Sequence, residues 1–160
     1  MNPWIANSFL DSCAFDPKYH PEDQAAVEVF RLHREQKLPI RLAHSVQKEV
    51  DNPGTPLWVK QAAQGLIRTG EVPLSPDERN RLQAIHAIVA GNGKSESVQE
   101  DARHIFEAQK YGAYFVTTDN RLLGRADQLR RECSVEILRP SEFLDLVHRH
   151  PRLDRASGNG

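Results

Sequence analysis

The chain has 160 residues, of which 39% are hydrophobic and 27% charged, and its formal net charge is −1. A chain of this length can bury a core of its own, so neither disulfides nor a structural metal is needed to hold it together. The nearly neutral charge excludes a strongly basic protein, but it neither supports nor excludes a polyanionic partner for one part of the surface.

The two cysteines, Cys13 and Cys133, match no zinc-binding spacing and are too few for a disulfide framework. We predict that both are buried thiols in a reducing compartment. No apolar run approaches the ~20 residues that a membrane helix needs, and the N-terminus lacks the basic and apolar regions of a signal peptide. We therefore expect a cytoplasmic protein without membrane contact.

Short apolar runs alternate with amphipathic segments, a pattern typical of strands that alternate with helices. In chain order, the predicted elements are strand 4–10, helix 22–36, strand 39–43, a short helix from Ser45 that carries Glu49, helices 56–67 and 75–90, helix 98–111, strand 113–117, helix 120–132, strand 135–138 and helix 141–148. One domain is expected over 1–150, with a helical insert over about 56–90. The polar tail 151–160 is predicted to be disordered.

The same periodicity predicts which side chains face the core. On the first long helix these are Ala26, Val27, Val29, Phe30 and His33. The aromatic side chains that we assign to the core, rather than to platforms for stacked bases, are Trp4, Trp58, Phe106, Tyr114 and Phe115.

Strands that alternate with helices predict a three-layer α/β/α fold around a central, mainly parallel sheet of four or five strands. Ligands of such folds bind at the carboxyl ends of the strands. Asp11 and Asp119 directly follow predicted strands, whereas Glu49 and Asp101 lie near the starts of predicted helices. If these four carboxylates meet, they repel one another by several kcal/mol unless a divalent cation neutralises them, which indicates a metal site.

Each of these acids also has a simpler explanation. Asp11 could merely end a strand, and Glu49 could be a solvated helical residue. Asp101 could complement a helix dipole, and Asp119 could cap the next helix.

Four basic residues lie near the predicted site. Arg103, Arg121 and Arg125 could contact phosphate, although surface solvation explains them equally well. His44 could contact substrate or donate to a carboxylate, but a structural histidine is the more frequent case.

Three blocks of the sequence resemble the PIN-domain nucleases, including the toxins of VapC-type toxin–antitoxin pairs. The blocks cover residues 9–12, 46–50 and 101–119. In the third and most specific block, Asp101 opens a helix, Gly112 ends it, and a strand closes in Val-Thr-Thr-Asp. Together the blocks span nearly the whole chain in the order of that family.

The resemblance implies a metal-dependent endoribonuclease that leaves 5′-phosphate and 3′-hydroxyl ends. Its ligands for one or two Mg²⁺ or Mn²⁺ ions would be Asp11, Glu49, Asp101 and Asp119, since carboxylate oxygens suit these hard cations. Ser12 would support Asp11, and Thr117 would support Asp119. The family commonly has an asparagine where this chain has Cys13, so one supporting contact is missing or is made differently.

The implied partners are an RNA substrate, a small antitoxin protein and a second copy of the chain in a homodimer. Two other functions remain open from the residues. The first is a PIN-like module that binds RNA or protein without cutting it. The second is a Mg²⁺-dependent phospho-accepting switch of the receiver type, which requires an acidic pair after the first strand and a lysine at the end of the last; the sequence has neither.

Overall fold

A computed structural model of the chain describes residues 1–15, 17–43, 51–64, 66–68, 73–91 and 97–152. Strands and helices alternate within these ranges, as the sequence predicts. In chain order they are β1 (Ser8–Leu10), α1 (Glu22–Gln36), β2 (Ile40–Leu42), α2 (Leu57–Gln64), β3 (Ile67–Arg68), α3 (Pro76–Ala90), α4 (Ser97–Tyr111), β4 (Tyr114–Val116), α5 (Asn120–Leu123), α6 (Ala126–Cys133), β5 (Glu136–Leu138) and α7 (Pro140–Arg149). A short 3₁₀ turn, Ser12–Ala14, follows β1.

The strands form one five-stranded sheet in the order β3-β2-β1-β4-β5, and every neighbouring pair is parallel. Successive side chains of a strand point to opposite faces of a sheet. In the central strands, Phe9, Leu10, Phe115 and Val116 are all buried, so both faces are covered. The predicted α/β class with a parallel sheet is confirmed, and the burial is compatible with three layers.

Helix contacts and capping hold these layers together. α1 packs against α7, and α3 packs against α4 and α6. Ser75 begins α3 with a capping box that it completes with Glu78. The buried Glu22 of α1 accepts hydrogen bonds from the Ser141 N–H at 2.9 Å and the Ser141 hydroxyl at 2.6 Å, which fixes the start of α7.

The end of α4 is joined to the sheet by Asn7, which directly precedes β1. The Asn7 side-chain amide donates to the Tyr111 carbonyl at 3.0 Å, and the Asn7 carbonyl accepts from the Ala113 N–H at 3.1 Å. Arg41 of β2 donates to Asn7 Oδ1 at 2.9 Å. These bonds fix α4 relative to β1 and β2.

Three predicted elements differ from the structure. The first strand covers only Ser8–Leu10, because the preceding residues form a turn in which the Ala6 N–H bonds to the Asn2 carbonyl at 3.0 Å. The predicted helix 56–67 ends at Gln64 and is followed by β3, so the insert is not purely helical. The predicted helix 120–132 is two helices, since the chain turns at Gly124, where α5 ends.

Most of the predicted core residues are buried, but three side chains are not where we expected them. Val27 is 66% exposed because it lies just beyond the buried stripe of α1, and Trp58 is 45% exposed on α2. Cys133 is buried as predicted, whereas Cys13 is exposed in the 3₁₀ turn. The predicted core therefore holds for the central strands and fails at element edges.

The predicted helix that carries Glu49, the neighbouring His44 and the tail 153–160 lie outside the described residues. Among the helices that are described, none combines the length and the apolar character needed to cross a membrane.

Candidate metal centre

The site lies where the order of the strands reverses. The chain passes from β1 to β2 and β3 on one side, and then returns to the other side of β1 with β4. Leu10 pairs with Val116, and the Asp11 N–H continues the ladder with a bond of 2.9 Å to the Val116 carbonyl. Asp11 and Thr117 therefore lie side by side at the carboxyl ends of adjacent strands, which is where open parallel sheets bind ligands.

The carboxylate of Asp11 is almost fully buried and is held by several donors. Its Oδ1 accepts from the Ser12 N–H at 2.8 Å. Its Oδ2 accepts from the Thr117 hydroxyl at 2.8 Å and from the Cys13 thiol at 3.3 Å. Ser12 contacts Asp11 through its backbone amide, whereas the predicted support from the Ser12 hydroxyl stays a prediction. Cys13 supplies a weak contact of its own at the position where the resemblance leads us to expect an asparagine.

Thr117 connects two of the acids. Besides donating to Asp11, its hydroxyl oxygen accepts from the Asp119 N–H at 3.1 Å. Asp119 caps α5, because its Oδ1 accepts from the Arg121 N–H at 2.9 Å. The capping explanation for Asp119 is thus correct, and it is compatible with a place in the site.

Asp101 is brought to the other two acids by α4. Its side chain is 13% exposed. The pKa of Asp101 is raised to about 6, chiefly by burial; the charges of Asp11 and Asp119 also raise it, whereas Arg121 and His104 lower it. The charges of Asp11 and Asp119 therefore act on Asp101. That the three acids bind one ion stays a prediction.

Arg121 is the cation that partly balances this charge. Its guanidinium bonds to Asp101 Oδ2 and reaches Asp119 Oδ2 at 3.4 Å. Of the other two predicted phosphate contacts, Arg103 is exposed on α4 and Arg125 lies with its guanidinium against Gly91. The structure thus brings Arg121 into the acidic cluster.

Cys13 is not a thiolate at neutral pH. Although the residue as a whole is exposed, its sulfur lies 3.3 Å from both Asp11 Oδ2 and the Thr117 hydroxyl oxygen. Desolvation of the sulfur there raises the pKa of the thiol to about 11, and the Asp11 charge acts in the same direction. The side chain therefore stays neutral beside the acids and does not add to their charge.

Sequence reasoning missed His104 as a member of this site. Its ring is completely buried on α4, and its Nδ1 lies 3.9 Å from Asp11 Oδ1. The available signal was its spacing, since residues three apart on a helix share a face and Asp101 is three residues earlier.

The donor chemistry fits Mg²⁺ or Mn²⁺, because Asp11, Asp101 and Asp119 supply hard carboxylate oxygens. The raised pKa of Asp101 is due mainly to burial, and Arg121 already offsets part of the negative charge around it. In the part of the chain that the structure describes, however, no three His, Cys, Asp or Glu side chains are close enough to hold a metal ion together. The fourth predicted ligand, Glu49, lies outside that part.

A separate cavity of about 530 Å³ lies at the amino end of β2, between α1 and α2. It is lined by Arg34, Lys37, Pro39 and Arg41 among others, and by none of the acids. Its position at the opposite ends of the strands makes it a different feature from the acidic cluster.

No protein-family model, curated protein or solved structure matches this chain. The fold and the site define an α/β protein with an acidic cluster at the strand-order reversal of a parallel sheet. The resemblance to the PIN-domain nucleases stays a prediction.

Proposed function

We propose that the protein is a metal-dependent endoribonuclease with a PIN-like, three-layer α/β/α fold. The observation that supports this most is that three acids from separate parts of the chain are joined by shared contacts. Thr117 links the Asp11 carboxylate to the Asp119 N–H, and Arg121 bonds to Asp101 and reaches Asp119 Oδ2 at 3.4 Å. Metal binding would require these side chains to come closer together than they are here. Asp101 is itself a candidate functional group, because burial raises its pKa and it lies beside other charged side chains.

In this proposal Asp11, Asp101 and Asp119, together with Glu49, bind one or two Mg²⁺ or Mn²⁺ ions. A bound ion lowers the pKa of the attacking water and stabilises the leaving 3′ oxygen. The chain itself contributes a prearranged set of acceptors: Asp11 is fixed by Ser12 and Thr117 before any ligand binds. Such prearrangement lowers the cost of assembling the site.

The basic residues have a separate role in the proposal. The Arg121 side chain is 42% exposed, so its guanidinium is accessible to an RNA phosphate once the acids are neutralised by an ion. Arg103 is exposed two residues after Asp101 on α4, a spacing at which side chains point to different faces of a helix, so it does not share this contact. Contacts of this kind bind RNA regardless of its sequence.

The proposal extends to a toxin role in the cytoplasm, with a small antitoxin as partner and a homodimer as the assembly. A neighbouring reading frame that encodes a short DNA-binding protein supports a toxin role. An RNA-maturation role is favoured if that frame is missing and a defined precursor is cut.

One observation favours a second candidate, a PIN-like module that binds RNA without cutting it. Arg121 already pairs with Asp101 and Asp119, and an arginine can balance these acids without a metal ion. In that case the cluster serves to orient Arg121 for RNA binding.

The test uses purified protein and end-labelled single-stranded and hairpin RNAs. We expect cleavage with Mg²⁺ or Mn²⁺ and none in chelator, with 5′-phosphate and 3′-hydroxyl products. Asp101→Asn should cut at least about 100-fold more slowly, because a metal ligand is lost. The matched control is Asp127→Asn, since Asp127 is an aspartate on α6 whose side chain is 88% exposed.

Cleavage that persists in chelator, or that is equal in Asp101→Asn and wild type, contradicts the nuclease proposal. RNA binding without cleavage, weakened by Arg121→Gln, supports the non-catalytic module instead.

A further inference from the structure

The imidazole of His104 is the most unusual buried group in the described residues. It is 0% exposed, and within the described part of the chain neither of its ring nitrogens has a hydrogen-bond partner. Leaving a buried polar group without a partner costs about 1–3 kcal/mol, so a phenylalanine or methionine would suit a purely structural position better. The histidine therefore calls for a functional explanation.

His104 faces the acidic cluster. It follows Asp101 by three residues on α4, and its Nδ1 lies 3.9 Å from Asp11 Oδ1. The ring thus lies beside two of the acids that we propose as metal ligands.

The hydrogen bonds of Asp11 leave room for one more donor at this point. A carboxylate has about four acceptor positions. Three are taken, by the Ser12 N–H, the Thr117 hydroxyl and the Cys13 thiol. The fourth position, on Oδ1, is the one nearest to His104. A cation could replace the thiol on Oδ2, because a thiol is a weak donor.

We propose that His104 is a positioning residue for the metal centre, whose Nδ1–H donates to Asp11 Oδ1 when the site binds its ion. This inference rests on the proposed function. The present separation exceeds a hydrogen bond by about 1 Å, which is within the range of a side-chain adjustment. The bond would give the buried Nδ1 a partner and hold Asp11 Oδ1 while Thr117 holds Oδ2, and such supporting contacts raise metal affinity.

Replacement by an apolar residue separates this role from a structural one. His104→Met removes two buried polar atoms, so we expect the metal-free variant to be as stable as wild type or more stable in urea unfolding. Its affinity for Mn²⁺, measured by calorimetry, should fall about 10-fold or more. If His104 only filled the core, its replacement would not lower the Mn²⁺ affinity of a variant that keeps its stability.

Two further variants complete the experiment. His104→Gln retains an N–H donor of similar reach, and we expect it to recover most of the Mn²⁺ affinity. Ile105→Met makes a similar apolar change at the next, equally buried position of α4, and we expect it to bind Mn²⁺ like wild type.

A measurement on the wild-type protein covers the case in which His104→Met does not fold. In ¹⁵N NMR with Mg²⁺ bound, the His104 ring should carry a proton on Nδ1. A proton on Nε2 instead overturns the inference.

The outcomes also separate the two proposals. If wild type does not bind Mn²⁺, the proposed function fails and the role of His104 fails with it. If wild type binds Mn²⁺ and His104→Met binds it equally well, only the role of His104 fails. If His104→Met loses Mn²⁺ binding but still binds Mg²⁺ like wild type, His104 is a direct ligand of the ion. That result would likewise overturn a positioning role.

Discussion

At the scale of single residues, Asp101 shows how burial and neighbours set the chemistry of the site. Its pKa rises from 3.8 to about 6, chiefly because the carboxylate is buried, and the two other acids add to the effect. A group with a raised pKa in the folded state holds a proton that the unfolded chain releases. At neutral pH the metal-free protein is therefore less stable than it would be with Asp101 protonated.

The first prediction concerns the stability of the protein without metal. As pH rises from about 4 to 7, ionisation of Asp101 removes stability from wild type, because the unfolded state loses its proton first. Asp101→Asn has no such proton, so in EDTA at pH 7 we expect it to be more stable than wild type by about 1–2 kcal/mol. The difference should vanish near pH 4, as measured by urea unfolding.

Asp127→Asn is the control for this experiment, since its exposed carboxylate should leave the pH profile unchanged. An Asp101→Asn variant that is less stable than wild type at pH 7 would show that the Arg121 ion pair outweighs burial and repulsion.

At the scale of elements, the junction between α4 and β1 sets the distance between Asp101 and Asp11. Gly112 lies in this junction, and a Cβ there would collide with the Asn7 carbonyl oxygen and lie 3.0 Å from the Phe9 ring. The sequence indicates that Gly112 ends a helix. Its closeness to Asn7 depends on contacts between residues about a hundred positions apart, so it follows only from the packing.

The second prediction is made for this junction. Gly112→Ala should destabilise the protein by about 2–3 kcal/mol, because backbone rather than a flexible side chain must move. It should also weaken Mn²⁺ binding, since α4 is pushed away from β1. Thermal unfolding and calorimetry measure the two effects.

Gly124→Ala is the matched control. Its added Cβ would lie 3.4 Å from the Asn120 carbonyl oxygen, and the residue already has a helical φ of −65°. We expect a change within about 0.5 kcal/mol. Equal effects of the two alanines would mean that the α4–β1 junction is not tightly packed.

At the scale of the whole molecule, a metal ion would join parts of the chain that are far apart in sequence. Asp11 follows β1, Asp101 belongs to α4, and Asp119 begins α5. An ion that binds only the folded arrangement stabilises all of these elements together.

The third prediction follows from this linkage. Mn²⁺ at about 100 times its dissociation constant should stabilise wild type by about 2.7 kcal/mol, which raises the melting temperature by several degrees. Asp101→Asn is expected to be more stable than wild type without metal, but Mn²⁺ should stabilise it little. Mn²⁺ should therefore narrow the difference in stability between the two proteins or reverse it. Potassium chloride at the same ionic strength is the control, because it screens the acids without binding to them. A similar rise in both proteins would indicate binding elsewhere.

The sequence by itself determined the features that depend on local pattern. Its alternating periods predicted a parallel α/β sheet, because strand and helix repeats are properties of short segments. It also placed Asp11, Asp101 and Asp119 at the ends of elements that meet at one edge of such a sheet. The four-residue helix α5 and the two-residue strand β3 were not predicted, since segments this short have little period of their own.

Only the tertiary structure decided which side chains complete the site. Arg121 contacts two of the acids, Cys13 faces Asp11 instead of the core, and His104 is buried without a partner beside them. The Arg121–Asp119 and Cys13–Asp11 contacts join residues two positions apart. The Arg121–Asp101 and His104–Asp11 contacts join different elements, so no local pattern encodes them. They arise because the parallel pairing of β1 and β4 and the packing of α4 bring distant segments of the chain to one place.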